Sequence, residues 1–162
     1  LAAACGQTLR AESRFHSDVG RCTLGGLECL LQKPMTFMNR SGQAVAALTR
    51  FYKIALGQVL VVHDDLDLPP GAVRLKQGGG HGGHNGLRDL MSHLAGGDFY
   101  RLRIGIGHPG HRDDVVDYVL HKPSVDERGQ IEAAIEAALD HRDDIASGNF
   151  QRAMNTLHGR KH

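Results

Sequence analysis

Gln58-Val59-Leu60-Val61-Val62-His63-Asp64-Asp65-Leu66-Asp67-Leu68-Pro69-Pro70-Gly71 is the stretch whose reading decides the fold. Val59 to His63 is a short apolar, β-branched run, and three aspartates, a proline pair and a glycine stop it at once. That composition is expected of a loop leaving a buried strand. Ala72 to Lys76 reads as the next strand. Gly78-Gly79-Gly80-His81-Gly82-Gly83-His84-Asn85-Gly86 holds six glycines in nine positions, which suits neither a helix nor a strand interior, so it is a loop. Leu87, Leu90, Met91 and Leu94 mark a helix after it, and Tyr100 to Ile106 alternates as a strand does.

Upstream, Val19 to Leu24 and Leu27 to Gln32 flank Gly25-Gly26, the signal for two antiparallel strands joined by a tight turn. Val45, Leu48, Phe51 and Tyr52 then share one helical face, with Ser41 or the residue before it as cap. Leu1 to Leu9 has helix-forming composition and reads as a helix entered midway. Downstream, helices are expected over Val115 to Leu120, Asp126 to about Ser147 and Phe150 to Leu157, the middle one carrying a stripe of Ile131, Ile135, Ala138, Arg142 and Ile145. Strands alternating with helices indicate an α/β fold, a single three-layer α/β/α domain over residues 1–162 with a mixed, mostly parallel twisted sheet.

The 162 residues, 41% of them hydrophobic, suffice for one core. No apolar run is long enough to cross a bilayer, and no targeting signal is visible. Cys5, Cys22 and Cys29 lack C-x-x-C or zinc-finger spacing, so they read as inert packing thiols of a reducing, cytoplasmic compartment. The net charge of +1 hides an uneven distribution. Gly71 to Arg112 holds six basic and two acidic residues, a net +4, while Asp113 to Asp144 holds ten acidic and three basic, a net −7. The acidic run reads as the solvated face of helices.

In open α/β sheets ligands bind at the carboxyl ends of strands. Three loops qualify: the one holding Met38 and Asn39, the one opened by Asp64, and the glycine loop from His81 to Asn85. A carboxylate ending an apolar strand, as Asp64 does, is suited to orient a histidine and to stabilise the imidazolium formed when the ring takes a proton from water. Capping the loop is the plainer alternative, shared with Asp65 and Asp67. Asn39 and Asn85 can donate to a developing oxyanion without titrating, though asparagine is also an ordinary turn residue. The glycine loop could cradle phosphate but is not a P-loop, because no Gly-Lys-Ser/Thr follows. His81 and His84 lack a carboxylate or thiolate at matching spacing, so no metal and no cofactor are expected.

Pro34-Met35-Thr36-Phe37-Met38-Asn39-Arg40-Ser41-Gly42, His63 to Gly71, Gly78 to Gly86 and Arg101-Leu102-Arg103-Ile104-Gly105-Ile106-Gly107-His108-Pro109-Gly110 closely resemble, in order, the motifs of bacterial-type peptidyl-tRNA hydrolases. The resemblance covers essentially the whole chain. It implies a mixed sheet between helices, cytoplasmic location, a monomer, and a peptide esterified to the terminal ribose of tRNA as substrate. It implies Asp64 as the catalytic aspartate, Asn39 and Asn85 as substrate-binding and catalytic amides, and Met38 and His84 beside them along the peptide cleft. Lys76 and Arg103 match the residues that hold the tRNA 5′ phosphate, in agreement with the local positive charge. A mobile loop over the cleft corresponds to about Pro109 through Leu120.

Members of this family open with a strand, a Gly-Leu-Gly-Asn-Pro-Gly-like turn and a loop with an Arg-His-Asn-like triplet, whose histidine is the general base. No such segment precedes Leu1, and His16, His63, His81, His84 and His108 do not match that position. The expectation is that the amino-terminal strand and the base are missing from this chain, at a large cost in stability. The reaction expected is metal-free ester hydrolysis, with a non-catalytic RNA-binding relative of the same fold and a metal-dependent hydrolase as the competing readings.

Overall fold

The computed structural model describes residues 1–159. The chain divides into two units, Leu1–Leu60 with Gln77–Tyr100, and Val61–Lys76 with the chain from Arg101 onward.

The first unit is built on an antiparallel sheet of β1 (Arg10–Glu12), β2 (Ser17–Leu24) and β3 (Leu27–Pro34). Gly25 and Gly26 join β2 to β3 at φ 56° and 79°, the left-handed pair that a two-residue hairpin turn requires. The hairpin is the expected one. Helix α1 (Ser41–Phe51) packs against it, and Gln32 Nε2 donates both to Ser17 Oγ (2.8 Å) and to the Ala44 carbonyl (3.0 Å). The α1 side chains expected inside are only partly so. Leu48 is buried, whereas Phe51 is 55% exposed, because at the last turn it leaves the core and meets the edge of Phe15 (5.4 Å) under the Arg14 guanidinium (4.5 Å).

Two expectations at the start of the chain are corrected. Leu1 to Leu9 is no α-helix but a single 3₁₀ turn, Ala3–Cys5, ended by Gly6 at φ 66°, since a left-handed glycine closes a helix. Cys5 and Cys22 are not separate packing thiols. They form a disulfide with Cα atoms 5.8 Å apart, a pairing across 17 residues that no spacing rule reveals. The cysteine count therefore does not argue for a reducing compartment. Cys29 is the free cysteine. It faces Cys22 in the hairpin register, and burial pushes its thiol up.

The second unit is built on β4 (Leu60–Asp65), β6 (Tyr100–Gly105) and β5 (Val73–Gln77), in that order. Tyr100 N donates to Val59 O and Ile106 N to Asp65 O, a constant offset that makes β4 and β6 parallel. Gly78 N donates to Phe99 O and Gly105 N to Ala72 O, a reversed order that makes β5 and β6 antiparallel. The sheet is mixed, as expected: the β4–β6 pair is parallel, where a long connection permits it, and the β5–β6 pair is antiparallel.

Val73, Leu75, Leu102 and Ile104 form the apolar face of this sheet. They pack on Ala134 and Ala138 of α4 (Val125–Asp140), Ile145 of α5 (Arg142–Ala146), and Ala153 and Leu157 of α6 (Phe150–His158). The long helix expected to run from Asp126 to Ser147 breaks at His141, although no proline or glycine marks the place. Local bonds take up the carbonyls freed by the break: His141 N donates to Ala138 O, and Arg142 Nη1 to Leu139 O. Ile135 of the expected stripe points outward. Ser124 and Glu127 cap α4 reciprocally, at 3.2 and 2.9 Å.

Candidate active site

Asp64 and Asp65 end β4, and the pleat turns consecutive side chains to opposite faces. Asp65 Oδ2 accepts from Arg103 Nε at 2.7 Å and its Oδ1 from Asp67 N at 2.8 Å. Asp65 therefore makes the loop-opening bond that sequence alone left open to Asp64. Asp64 instead lines a cavity of about 230 Å³ with Tyr118, Val119, His121, Lys122 and Glu127. A carboxylate at the carboxyl end of the parallel strand, beside a cavity, is placed for chemistry. Tyr118, His121 and Lys122 were not legible as its neighbours, since more than fifty residues separate them from Asp64.

The loop is held close to β6. Gly107 N donates to Leu68 O at 2.8 Å, and a Cβ on Gly105 would lie 2.2 Å from Pro69 O, so only glycine fits there. The β5–β6 register sets Arg74 opposite Arg103 and Lys76 opposite Arg101, all on the face turned away from the apolar cluster. Lys76 is exposed; Arg101 is buried and its pKa is lowered, by burial first and Arg103 second. The bond to Asp65 fixes the plane of the Arg103 fork. Arg103 is thus held in place on a face that carries four cationic side chains.

His158, at the end of α6, accepts from Leu75 N through Nε2 at 3.0 Å and so covers a backbone donor on β5, an edge strand. Accepting requires the neutral ring. Its pKa is lowered, by burial first and then by Arg74 and Arg103. The unfolded chain therefore takes up this proton first. The contribution is whole above the ordinary histidine value of 6.5 and is lost as pH falls through the lower folded value. Because the residue is exposed overall, its bond is worth at most about 1 kcal/mol. Urea melts of the parent and of His158→Ala are expected to differ by that amount at pH 7.5 and to converge as pH falls toward 5; a constant difference would contradict the assignment.

In the first unit, Met38 and Asn39 lie on a 3₁₀ turn, Met38–Arg40, that leads into α1, and Asn85 opens α2 (Asn85–His93). Of the two expected cap positions of α1, the N-cap is Arg40, the residue before Ser41, and it makes no side-chain capping bond. Ser41 Oγ donates to Met38 O, and the Gly42 N–H donates to Asp89 Oδ2 of α2 at 2.8 Å. The second bond ties the first turn of α1 to the middle of α2. His84 caps α2, its Nδ1 accepting from Leu87 N at 3.2 Å, so a residue expected along the cleft also has a structural task. A Cβ on Gly86 would lie 2.7 Å from Met38 Sδ and 2.9 Å from the His84 ring. Met38 and His84 thus converge on that glycine, with Asn39 and Asn85 exposed beside them. Asp64, Lys76 and Arg103 belong to the second unit.

Among the described residues no group of three or more His, Cys, Asp or Glu side chains could hold a metal ion. No helix there is long and apolar enough to cross a membrane.

A family model described as peptidyl-tRNA hydrolase matches residues 1–162. The peptidyl-tRNA hydrolase of Halorhodospira halophila is 54% identical over 153 residues, covering 94% of this chain and 79% of that protein. That of Methylococcus capsulatus is 57% identical over 158 residues, covering 98% and 84%. A crystal structure of peptidyl-tRNA hydrolase from Acinetobacter baumannii superposes with a TM-score of 0.95 at 46% identity, over 99% of this chain and 81% of that one. A match from the first residue to the last, more than half the residues shared with these two relatives and a common backbone lead to one assignment: the chain belongs to the peptidyl-tRNA hydrolase family.

Proposed function

We propose that this protein hydrolyses the ester joining a peptide to the terminal ribose of tRNA, which returns tRNA from aborted translation. The observation that carries the reading is Asp64, set beside a cavity at the end of β4 while Asp65 makes the loop-opening bond. Asp64 orients a histidine, which deprotonates the attacking water. The family resemblance implies a histidine as this general base. Asn39 and Asn85 hold the water and the acyl oxygen as negative charge grows, and Met38 and His84 line the peptide side. Lys76 and Arg103 take the 5′ phosphate, a role supported by the shared face of β5 and β6.

Residues 1–162 act as one domain, a reading supported by the family match over that range, and the family resemblance implies three layers and a monomer. The substrate arises where ribosomes work, which supports a cytoplasmic location.

Incubation of the full-length gene product with peptidyl-tRNA, with and without EDTA, tests the reading. Metal-independent cleavage supports it, loss of cleavage with EDTA points to a metal hydrolase, and tight binding without turnover points to an RNA-binding relative. Asn39→Ala is expected to lower kcat by about a hundredfold, the usual cost of one oxyanion donor; a rate equal to the parent's would remove Asn39 from the mechanism.

A further inference from the structure

α3 (Val115–Leu120) contains no buried residue. Val116 is 66% and Leu120 79% exposed, so burial of apolar surface does little to hold the element in place. Its Tyr118 does reach the sheet: the hydroxyl donates to the Ile106 carbonyl at 2.6 Å. Ile106 is in turn bonded through its N–H to Asp65 O at 3.0 Å, one residue from Asp64. The adjoining backbone is shaped for this ring. Gly107 has φ 78°, and a Cβ there would lie 3.1 Å from the Tyr118 hydroxyl and 3.2 Å from the Pro70 ring. Burial, and Glu127 after it, raise the Tyr118 pKa, which keeps the hydroxyl a donor at neutral pH. With α3 so attached, Val119, His121 and Lys122 stand in the wall of the Asp64 cavity.

We propose that Tyr118 is a positioning residue for substrate binding: its hydroxyl, bonded to the Ile106 carbonyl, latches residues 115–122 in the arrangement that brings His121 and Lys122 to the cavity of Asp64. The latched arrangement is the one that binds the anionic tRNA end, and the unlatched one binds it weakly. This rests on the function proposed above. Tyr118 touches no reacting atom, so its loss acts on substrate affinity and on the opening of the segment.

Hydrogen–deuterium exchange over residues 107–122 and steady-state cleavage by the full-length protein test this together. Tyr118→Phe keeps the ring and removes one hydrogen bond, which is worth about a fivefold shift in the open–closed equilibrium. The amides of α3 should exchange about fivefold faster, KM should rise roughly two- to fivefold, and kcat and Tm should stay near the parent's. Gly107→Ala crowds the same hydroxyl with the tyrosine retained, and it should speed exchange of the same segment. Unchanged exchange in Tyr118→Phe would overturn the latch, and faster exchange with unchanged KM would overturn its part in substrate binding. A parent protein without hydrolytic activity would count against the proposed function, while the exchange comparison would still decide the latch.

Discussion

Asp64→Asn in the full-length gene product is expected to lower kcat for peptidyl-tRNA cleavage by about a thousandfold, the middle of the range for losing an oriented general base. The substitution keeps the size and shape of the side chain at the end of β4. It removes the negative charge that stabilises an imidazolium, and an amide can also favour the wrong tautomer of the ring it faces. KM should change little, since Asp64 acts in the proton transfer rather than in holding tRNA. Single-turnover cleavage separates the chemical step from product release. A variant as fast as the parent in that assay would end the assignment of Asp64 as the residue that holds the base.

Gly42→Ala is expected to be the most damaging single methyl group in the first unit. A Cβ at this position would lie 2.3 Å from the Asp89 carbonyl oxygen and 2.8 Å from Leu90 N, both backbone atoms of α2. A flexible side chain could swing away, but a helix backbone cannot, so α1 and α2 must separate and the bond from Gly42 N to Asp89 Oδ2 must lengthen. A loss of about 3 kcal/mol follows, at the upper end for overpacking, or roughly 10 °C in Tm for a domain of this size. Asn39 and Asn85 stand at the starts of these two helices, so cleavage should fall by more than the unfolded fraction explains. Calorimetry together with activity measured well below the transition tests both parts. A variant that melts with the parent would mean that the crossing is looser than these distances state.

The candidate site was legible in the sequence to the extent that its residues sit in loops with strong composition. Asp64 could be found because an apolar run ends on it, and Asn39 and Asn85 because strand-to-helix loops hold them. The division of labour between Asp64 and Asp65 was not legible, since two adjacent aspartates look alike until the pleat turns them to opposite faces. His84 as a helix cap, Asp89 as the acceptor for α1 and Tyr118 beside Asp64 were also hidden. Each depends on a partner brought near by the path of the chain, and a local pattern carries no information about that path. The opening helix was misread because composition favours a helix there, while Gly6 in a left-handed conformation and the bond from Cys5 to Cys22 end it after one turn.

By itself the order of residues determined which segments become strands, where the hairpin turns, and that the glycine loop and the Asp64 loop are irregular, because alternation, helical spacing and the backbone freedom of glycine act within a few residues of one another. Tertiary structure alone decided that β4 runs parallel to β6 while β5 runs against it, that Arg74, Lys76, Arg101 and Arg103 share a face, and that Asp64 looks into a cavity walled by α3. Those outcomes depend on which distant surfaces exclude water together and on hydrogen bonds between segments far apart in the chain, terms that arise only once the backbone has closed on itself.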